Sequence, residues 1–442
     1  MRICFLPIDN RPVCYNLVKD IASIDESIEL FMPPRSYLGD LNRNADIDAL
    51  FDWLKNAPKC DVVILSLDTI AYGGLIPSRR SNESFDEIKI RINKLKKILI
   101  EKDAKIYAFS SIMRISNNNY NEEEKEYWKD YGKKIFEYSY SGGINSSNIP
   151  QEILDDYLAT RNRNFEINKL YLEWQKEGFF NTLIFSKDDC AEFGFNVDEA
   201  KELEALGGKT KTGADEIPLT LLAKALEKEI KVFVKYTEPD CKDLISTYED
   251  VSIEKSVLGQ LELGGFNVVN SQEEADVVLV VNNFVDKQGD LVMNWPTQGS
   301  FKGDFLPPNK LYCVADVRYA NGAENVLVEK LLPKIDLDKF YGYSAWNTSA
   351  NTLGSLLAVL KVRFEALKYN EHAFKKLQII RFLDDWAYQA NIRGQIQEPC
   401  DISNLIKSYE ERLIEIFDYD IQDSIKYIYP WKRKFEIEVV ID

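Results

Sequence analysis

The chain has 442 residues, 45% of them hydrophobic, with 72 acidic against 55 basic side chains and a formal net charge of −17. Its length leaves room for about two to three domains unless one large barrel takes most of it. An acidic chain with no long basic run argues against a general affinity for nucleic acid or an anionic membrane, and no apolar run approaches the ~18 residues that cross a bilayer.

In chain order, apolar β-branched runs recur at Arg2–Pro7, Ile28–Met32, Val62–Leu67, Lys105–Phe109, Thr182–Phe185, Lys231–Tyr236, Val277–Val281 and Leu311–Ala315. Stretches such as VVILSL and VVLVV are hydrophobic without alternation, as strands covered on both faces of a parallel sheet are. Amphipathic helical stretches lie between them, among them Phe85–Glu101 and Ile217–Glu229. Strands alternating with helices make an α/β fold, and eight strands predict a (β/α)8-like barrel with inserted helices over residues 1–354. A ninth apolar piece, Tyr341–Trp346, and the long charged helical interval from Ser110 to Asn181 keep a doubly wound parallel sheet in two lobes open as the alternative. Residues 355–442 read as a helical C-terminal region with a closing strand, and a homodimer through that region is an expectation. The N-terminus, MRICFLPID, enters a strand directly and lacks a signal-peptide pattern, so a cytoplasmic protein is expected.

Seven scattered cysteines without a C-x-x-C pair predict reduced thiols and no zinc site of the usual spacing. His372 is the single histidine, expected on a helix surface. A Ser-His-Asp arrangement would have to use it, and a multi-histidine metal site is impossible. Acid–base chemistry therefore falls mainly to carboxylates, Lys, Tyr or Cys.

The most informative stretch is 181–216. Its strand breaks at once into Ser186-Lys187-Asp188-Asp189, and Gly213-Ala214-Asp215-Glu216 opens the next helix. Strand ends are where α/β enzymes present catalytic residues, and two adjacent carboxyls in a confined pocket do not both ionise without mutual cost. Taken alone, the pair reads equally as a turn and helix cap. Other strand ends carry Asp9 and Arg11, Asp68 with Arg79 beyond it, Arg114, Tyr236, Asn282, Asp316, and then Trp346-Asn347 followed by Asn351. If these ends share one face, they form a cup of Asp, Asn, Arg, Tyr and Trp suited to a polyhydroxylated ligand. Each of them singly could be a cap or an ion-pair partner. There is no G-x-G-x-x-G or P-loop fingerprint. The arginines near Asp9 and Asp68 could bind phosphate or carboxylate, and Asp9, Asp68 and Asp189 could hold a divalent cation. No ligand spacing identifies a metal, and no cofactor is predicted.

PIDNRPV at 7–13, SLDTIAYGGLIPSR at 66–79, KDD at 187–189, GADE at 213–216, DVRYANGA at 316–323, GYSAWNTSANTLG at 342–354 and RFLDDWAYQ at 381–389 together resemble a bacterial family known as domain of unknown function 4127. Where that family shows P-L-D-D-R-P, this chain has Asn10 in place of the second Asp. The family implies no activity. Asp188-Asp189 is in addition similar to the adjacent acidic pair of barrel glycosidases that cleave N-acetylhexosamines with the substrate's own acetamido oxygen as nucleophile. Tyr236 and Trp346-Asn347 are similar to residues that hold the acetamido group and box the ring. That likeness implies a retaining glycoside hydrolase releasing a terminal N-acetylhexosamine, with N-acetylgalactosamine one candidate. Asp188 would orient the acetamido group and Asp189 would be the general acid/base, with Glu216 as its substitute. Asp9, Arg11, Asp68, Arg79, Arg114, Tyr236, Asn282, Asp316, Trp346, Asn347 and Asn351 would bind the carbohydrate. Two alternatives stand beside it: a metal-dependent or arginine-dominated enzyme on phosphorylated or carboxylated metabolites, and a non-catalytic carbohydrate-binding protein.

Overall fold

The computed structural model describes every residue except Ser146, Ser147, Asp189, Asp304, Pro308, Gln422, Asp423 and Asp442. The chain divides into two units, Met1–Tyr15 with Ile28–Leu221 and Tyr248–Asp250, and Asn16–Ser27 with Leu222–Thr247 and Val251–Asp442.

In the first unit, β1 (Arg2–Leu6), β2 (Glu29–Phe31), β3 (Val62–Ser66), β4 (Lys105–Ile112), β5 (Thr182–Lys187) and β6 (Thr210–Thr212) form one parallel sheet in the order β2-β1-β3-β4-β5-β6. Every residue of β3 is buried, as its unbroken apolar run requires. The helix Phe85–Lys102 shows how local sequence fixes an element. It starts at a capping box between Ser84 and Glu87 and ends at Asp103 in the left-handed conformation (φ 49°), so orphan backbone groups are met at both ends. Its Ile88, Ile92, Leu95 and Leu99 recur at helical spacing and join Val63, Leu65 and Ala108 in one core, each worth about 1.5–3 kcal/mol when fully buried. The charged interval after β4 forms the helices Trp128–Tyr140 and Gln151–Lys176. The acidic run before them stays outside any helix, which matters for the site.

The second unit holds β7 (Lys231–Tyr236), β8 (Asn267–Val268), β9 (Val277–Asn282), β10 (Gly289–Asp290), β11 (Leu311–Asp316), β12 (Tyr319–Ala320) and β13 (Phe340–Ser344). Five of these make a parallel sheet in the order β13-β11-β9-β7-β8, while β10 and β12 form a short pair. The helix Ser349–Glu365 is buried from Ser349 to Val362, so it lacks the polar face of a surface helix. Thr348, not Asn347, caps it, accepting from Asn351 N. The C-terminal region contains the helices Glu371–Arg381 and Ser403–Phe417, a π-helix over Phe382–Ile392, and an antiparallel pair of β14 (Lys426–Ile428) and β15 (Glu438–Val440).

The barrel closure expected from eight strands does not form. Each sheet is open, with β2 and β6 at the edges of the first and β13 and β8 at the edges of the second. A barrel requires each strand to add on the same side of its predecessor until the ring closes. Here β3 adds to β1 on the side away from β2, and β9 adds to β7 on the side away from β8. That reversal makes a doubly wound sheet with two free edges, the two-lobed alternative. All seven cysteines are free thiols. His372 is exposed on its helix, stacked on the Tyr419 ring at 4.5 Å. Among the described residues no helix is long and apolar enough to cross a membrane.

Candidate functional site

Where strand order reverses, the loops leaving neighbouring strands diverge and open a crevice at the carboxyl ends of the strands. In the first unit that point lies between β1 and β3. The loop after β1 carries Asp9 and Arg11, and the turn after β6 carries Asp215. Arg11 donates from N to Asp9 Oδ1 and from Nε to Asp9 Oδ2, each at 2.9 Å. The far edge of the same guanidinium makes a bidentate pair with Asp215, Nη1 to Oδ2 at 2.9 Å and Nη2 to Oδ1 at 2.7 Å. One cation thus serves two carboxylates that are 5% and 7% exposed. Burial raises the Asp215 carboxyl above its ordinary range; Arg11 opposes this, and the charges of Asp9 and Asp188 add to the rise.

Cys14, one helical turn after Arg11, completes a triad whose ligand atoms lie within 4.8 Å of one another, Asp9, Cys14 and Asp215. Such a set could hold a metal ion. However, Arg11 already lies on both carboxylates, and burial pushes the Cys14 thiol well up, which disfavours the thiolate a metal takes.

Asp188, at the end of β5, is fixed by two arginines, with Oδ2 3.4 Å from Arg114 Nη1 and 3.8 Å from Arg79 Nη1. The same arginines reach back to the loop after β4. Glu124 Oε1 is 3.2 Å from each Nε, and Glu123 Oε2 lies 2.9 Å from Arg114 Nη2 and 3.4 Å from Arg79 Nη2. Among the described residues, five carboxylates (Asp9, Glu123, Glu124, Asp188, Asp215) therefore face three guanidinium groups. Negative charge is in excess. Lys187 pairs with Asp250, which also accepts from Thr212 Oγ1 at 2.8 Å.

Asp68 lies beneath this surface, fully buried, accepting from Ser111 N at 2.8 Å. It anchors the end of β4 rather than facing the crevice. Glu216 also points inward: it is 0% exposed, and its Oε2 accepts from Ala214 N at 3.1 Å. Gly213 (φ 106°) makes that fold-back possible, because a Cβ there would overlap the Glu216 carboxylate. Asp215, not Glu216, joins the cluster. Asp189 lies outside the described residues.

The single cup expected of a barrel is divided between the two sheets. Tyr236, Asn282, Asp316, Trp346, Asn347 and Asn351 belong to the second unit. There Asn282 Nδ2 donates to Asp316 Oδ1 and Glu324 Oε2, both at 2.8 Å. Asp316 Oδ2 accepts from Glu324 N at 2.7 Å and Tyr343 OH at 3.2 Å. Arg318, fully buried, lies 3.1 Å from Glu324 and 2.9 Å from Glu238. Trp346 and Asn351 are buried, Tyr236 is half-buried with its ring against the core, and Asn347 sits at φ 55° with its carbonyl accepting from Asn321 N. Sequence reasoning missed Cys14, Glu123 and Glu124. The glutamates were hidden inside a charged run that reads as helix, and only the tertiary path returns them to Arg79 and Arg114.

Asp68, Asp316 and Asp385 are fully buried, and burial pushes each up to about 7. An Asp in the unfolded chain ionises near ~3.9. Between about pH 4 and pH 7 the folded chain thus holds protons the unfolded chain has released, so stability falls as pH rises through that window. Each carboxyl contributes up to about 1.4 kcal/mol per pH unit there. The urea midpoint at pH 5.5 is expected to exceed that at pH 8; the opposite order would contradict these assignments.

A comparison with curated proteins finds no match, and nothing in the comparisons supports the likeness to barrel N-acetylhexosaminidases. The profile of the family described as "Protein of unknown function (DUF4127)" matches residues 3–440, and the chain belongs to that family.

Proposed function

We propose that the chain is a glycoside hydrolase that releases a terminal N-acetylhexosamine, such as N-acetylgalactosamine, by a retaining, substrate-assisted mechanism. The observation that carries this reading is the carboxylate-rich cluster at the carboxyl edge of the first sheet, where Asp188 is pinned by Arg79 and Arg114 and Asp215 is held toward its protonated form. Glycosidases work with two carboxyls whose environments drive their ionisation apart. Asp188, paired with Arg79 and Arg114, suits the carboxylate that orients the acetamido group and stabilises the positive charge formed when its oxygen attacks the anomeric carbon. Asp189 is the general acid/base: it protonates the leaving oxygen, then takes a proton from the water that opens the cyclic intermediate. Asp215 takes the reserve role first assigned to Glu216.

The excess of negative charge also bears on the alternatives. Arginines engaged with five carboxylates offer little to a phosphorylated or carboxylated metabolite, whereas a neutral sugar is not repelled. The test is purified protein against nitrophenyl glycosides that include N-acetylglucosaminides and N-acetylgalactosaminides of both anomers. Release from an N-acetylhexosaminide, with retention at the anomeric carbon, is expected. Turnover only of other glycosides would overturn the acetamido assignment. Sugar binding without turnover would favour the non-catalytic reading.

A further inference from the structure

We propose that Asp250 is a positioning residue: through Lys187 it clamps the end of β5 and so fixes Asp188 and Asp189 for the chemistry. This rests on the glycosidase reading. The first unit takes only three residues from beyond Leu221, the segment Tyr248–Asp250, and that segment meets the chain on both sides of the acidic pair. Asp250 accepts from Nζ of Lys187, the residue before Asp188. The Tyr248 carbonyl accepts at 3.0 Å from the backbone N–H of Cys190, the residue after Asp189.

The same segment ties β5 to β6. Asp250 Oδ1 accepts from Thr212 Oγ1 at 2.8 Å, and Thr212 is the register partner of Lys187. Gly213 N donates to the Lys187 carbonyl at 2.8 Å. One carboxylate thus holds the last residue of β5 and the last of β6, the strands that lead into Asp188 and into Asp215. Both side chains of the ion pair are nearly buried, where water competes little and a charge-assisted hydrogen bond is strong.

Backbone strain shows the segment to be held. Tyr248 has φ 68°, a left-handed conformation that residues other than glycine seldom adopt and that persists where the surroundings over-determine it. The bonds made by Tyr248 and Asp250 supply that constraint. Pairing with Asp250 also gives the Lys187 ammonium a partner other than the carboxylate next to it in sequence, so Asp188 is left to Arg79 and Arg114. A displacement of about 1 Å in a reacting group can lower a rate about 10²-fold, so an anchor on each side of the pair bears directly on turnover.

The experiment compares wild type, Asp250→Asn and the double variant Lys187→Met/Asp250→Asn by amide hydrogen exchange, by urea midpoint and by turnover of a nitrophenyl N-acetylhexosaminide. Asp250→Asn strands the Lys187 ammonium; the double variant removes that charge, so its urea midpoint returns toward wild type. In both variants exchange over 187–192 and 210–214 is expected to rise about tenfold while β3 keeps its protection. In both, kcat is expected to fall about 10²-fold with KM unchanged. Unchanged exchange over 187–192 overturns the clamp whatever the activity. So does an active protein whose kcat is unchanged, or recovers with the urea midpoint in the double variant, as a merely structural pair would allow. Faster exchange around Asp188 in a protein that cleaves no N-acetylhexosaminide keeps the clamp and removes the glycosidase reading.

Discussion

Asp188→Asn is expected to lower kcat on every N-acetylhexosaminide by about 10²–10³-fold, the usual loss when a group that stabilises transition-state charge is removed. Asp189→Asn is expected to lower it by about 10²–10⁴-fold, with a different signature. A general acid matters in proportion to how badly the leaving group needs a proton. Nitrophenolate departs with little help, so Asp189→Asn should damage disaccharide cleavage far more than nitrophenyl cleavage. The charge of Asp188 acts on the anomeric centre whatever leaves, so its variant should lose comparably on both substrates. Neither change should unfold the protein. Asp188 is a partly exposed ion-pair partner of Arg79 and Arg114, whose side chains keep Glu123 and Glu124. The two variants are compared by kcat on both substrates, with the urea midpoint as the control for folding. Turnover unchanged in both would sink the assignment of this acidic pair. Equal losses of Asp189→Asn on both substrates would remove it from the acid role and direct attention to Asp215.

Arg11→Met is expected to destabilise the chain by about 3–5 kcal/mol, the scale found when one partner of a buried charge cluster is removed and the others are stranded. The substitution preserves bulk and removes five donors. Asp9 and Asp215, both nearly buried, would then face each other without a cation. Either they ionise at a cost in repulsion and desolvation, or they take up protons. The loss should therefore be greatest above neutral pH and shrink near pH 5, where protonation relieves it. Asp215→Asn combined with Arg11→Met should recover part of the loss, because one stranded charge goes with its partner; the coupling is read from a double-mutant cycle in urea. Arg11→Lys should recover little, since an ammonium cannot span Asp9 and Asp215 with paired donors. A fully stable Arg11→Met protein would mean that the cluster is hydrated and its charges screened.

Local pattern carried a great deal of this protein. The eight predicted apolar runs are strands near their expected limits, because burial on both faces of a parallel sheet demands unbroken Val, Ile and Leu, as in β3 and β9. The helix beginning at Phe85 was legible from Ser84, Glu87 and its apolar spacing. Polar residues where strands stop were legible too, and Asp9, Arg11, Arg79, Arg114 and Asp188 do gather at one sheet edge.

Tertiary structure alone decided the order of the strands. Periodicity reports which face of a strand is covered but not which strand lies beside it, so eight strands fit a closed ring and two open sheets equally well. Crossover packing chose the side of β1 on which β3 was added, and with it the division of the expected cup between two sheets. Long-range pairing decided the site. Arg11 finds Asp215 across 204 residues, and Glu124 leaves an apparent helix to hold Arg79 and Arg114. The choice of Asp215 over Glu216 follows from a single glycine: Gly213 lets the chain fold Glu216 back onto its own turn, and the neighbouring carboxylate is left to pair with Arg11. Sequence fixes such a residue's chemistry, but the direction it faces depends on backbone angles and partners far along the chain.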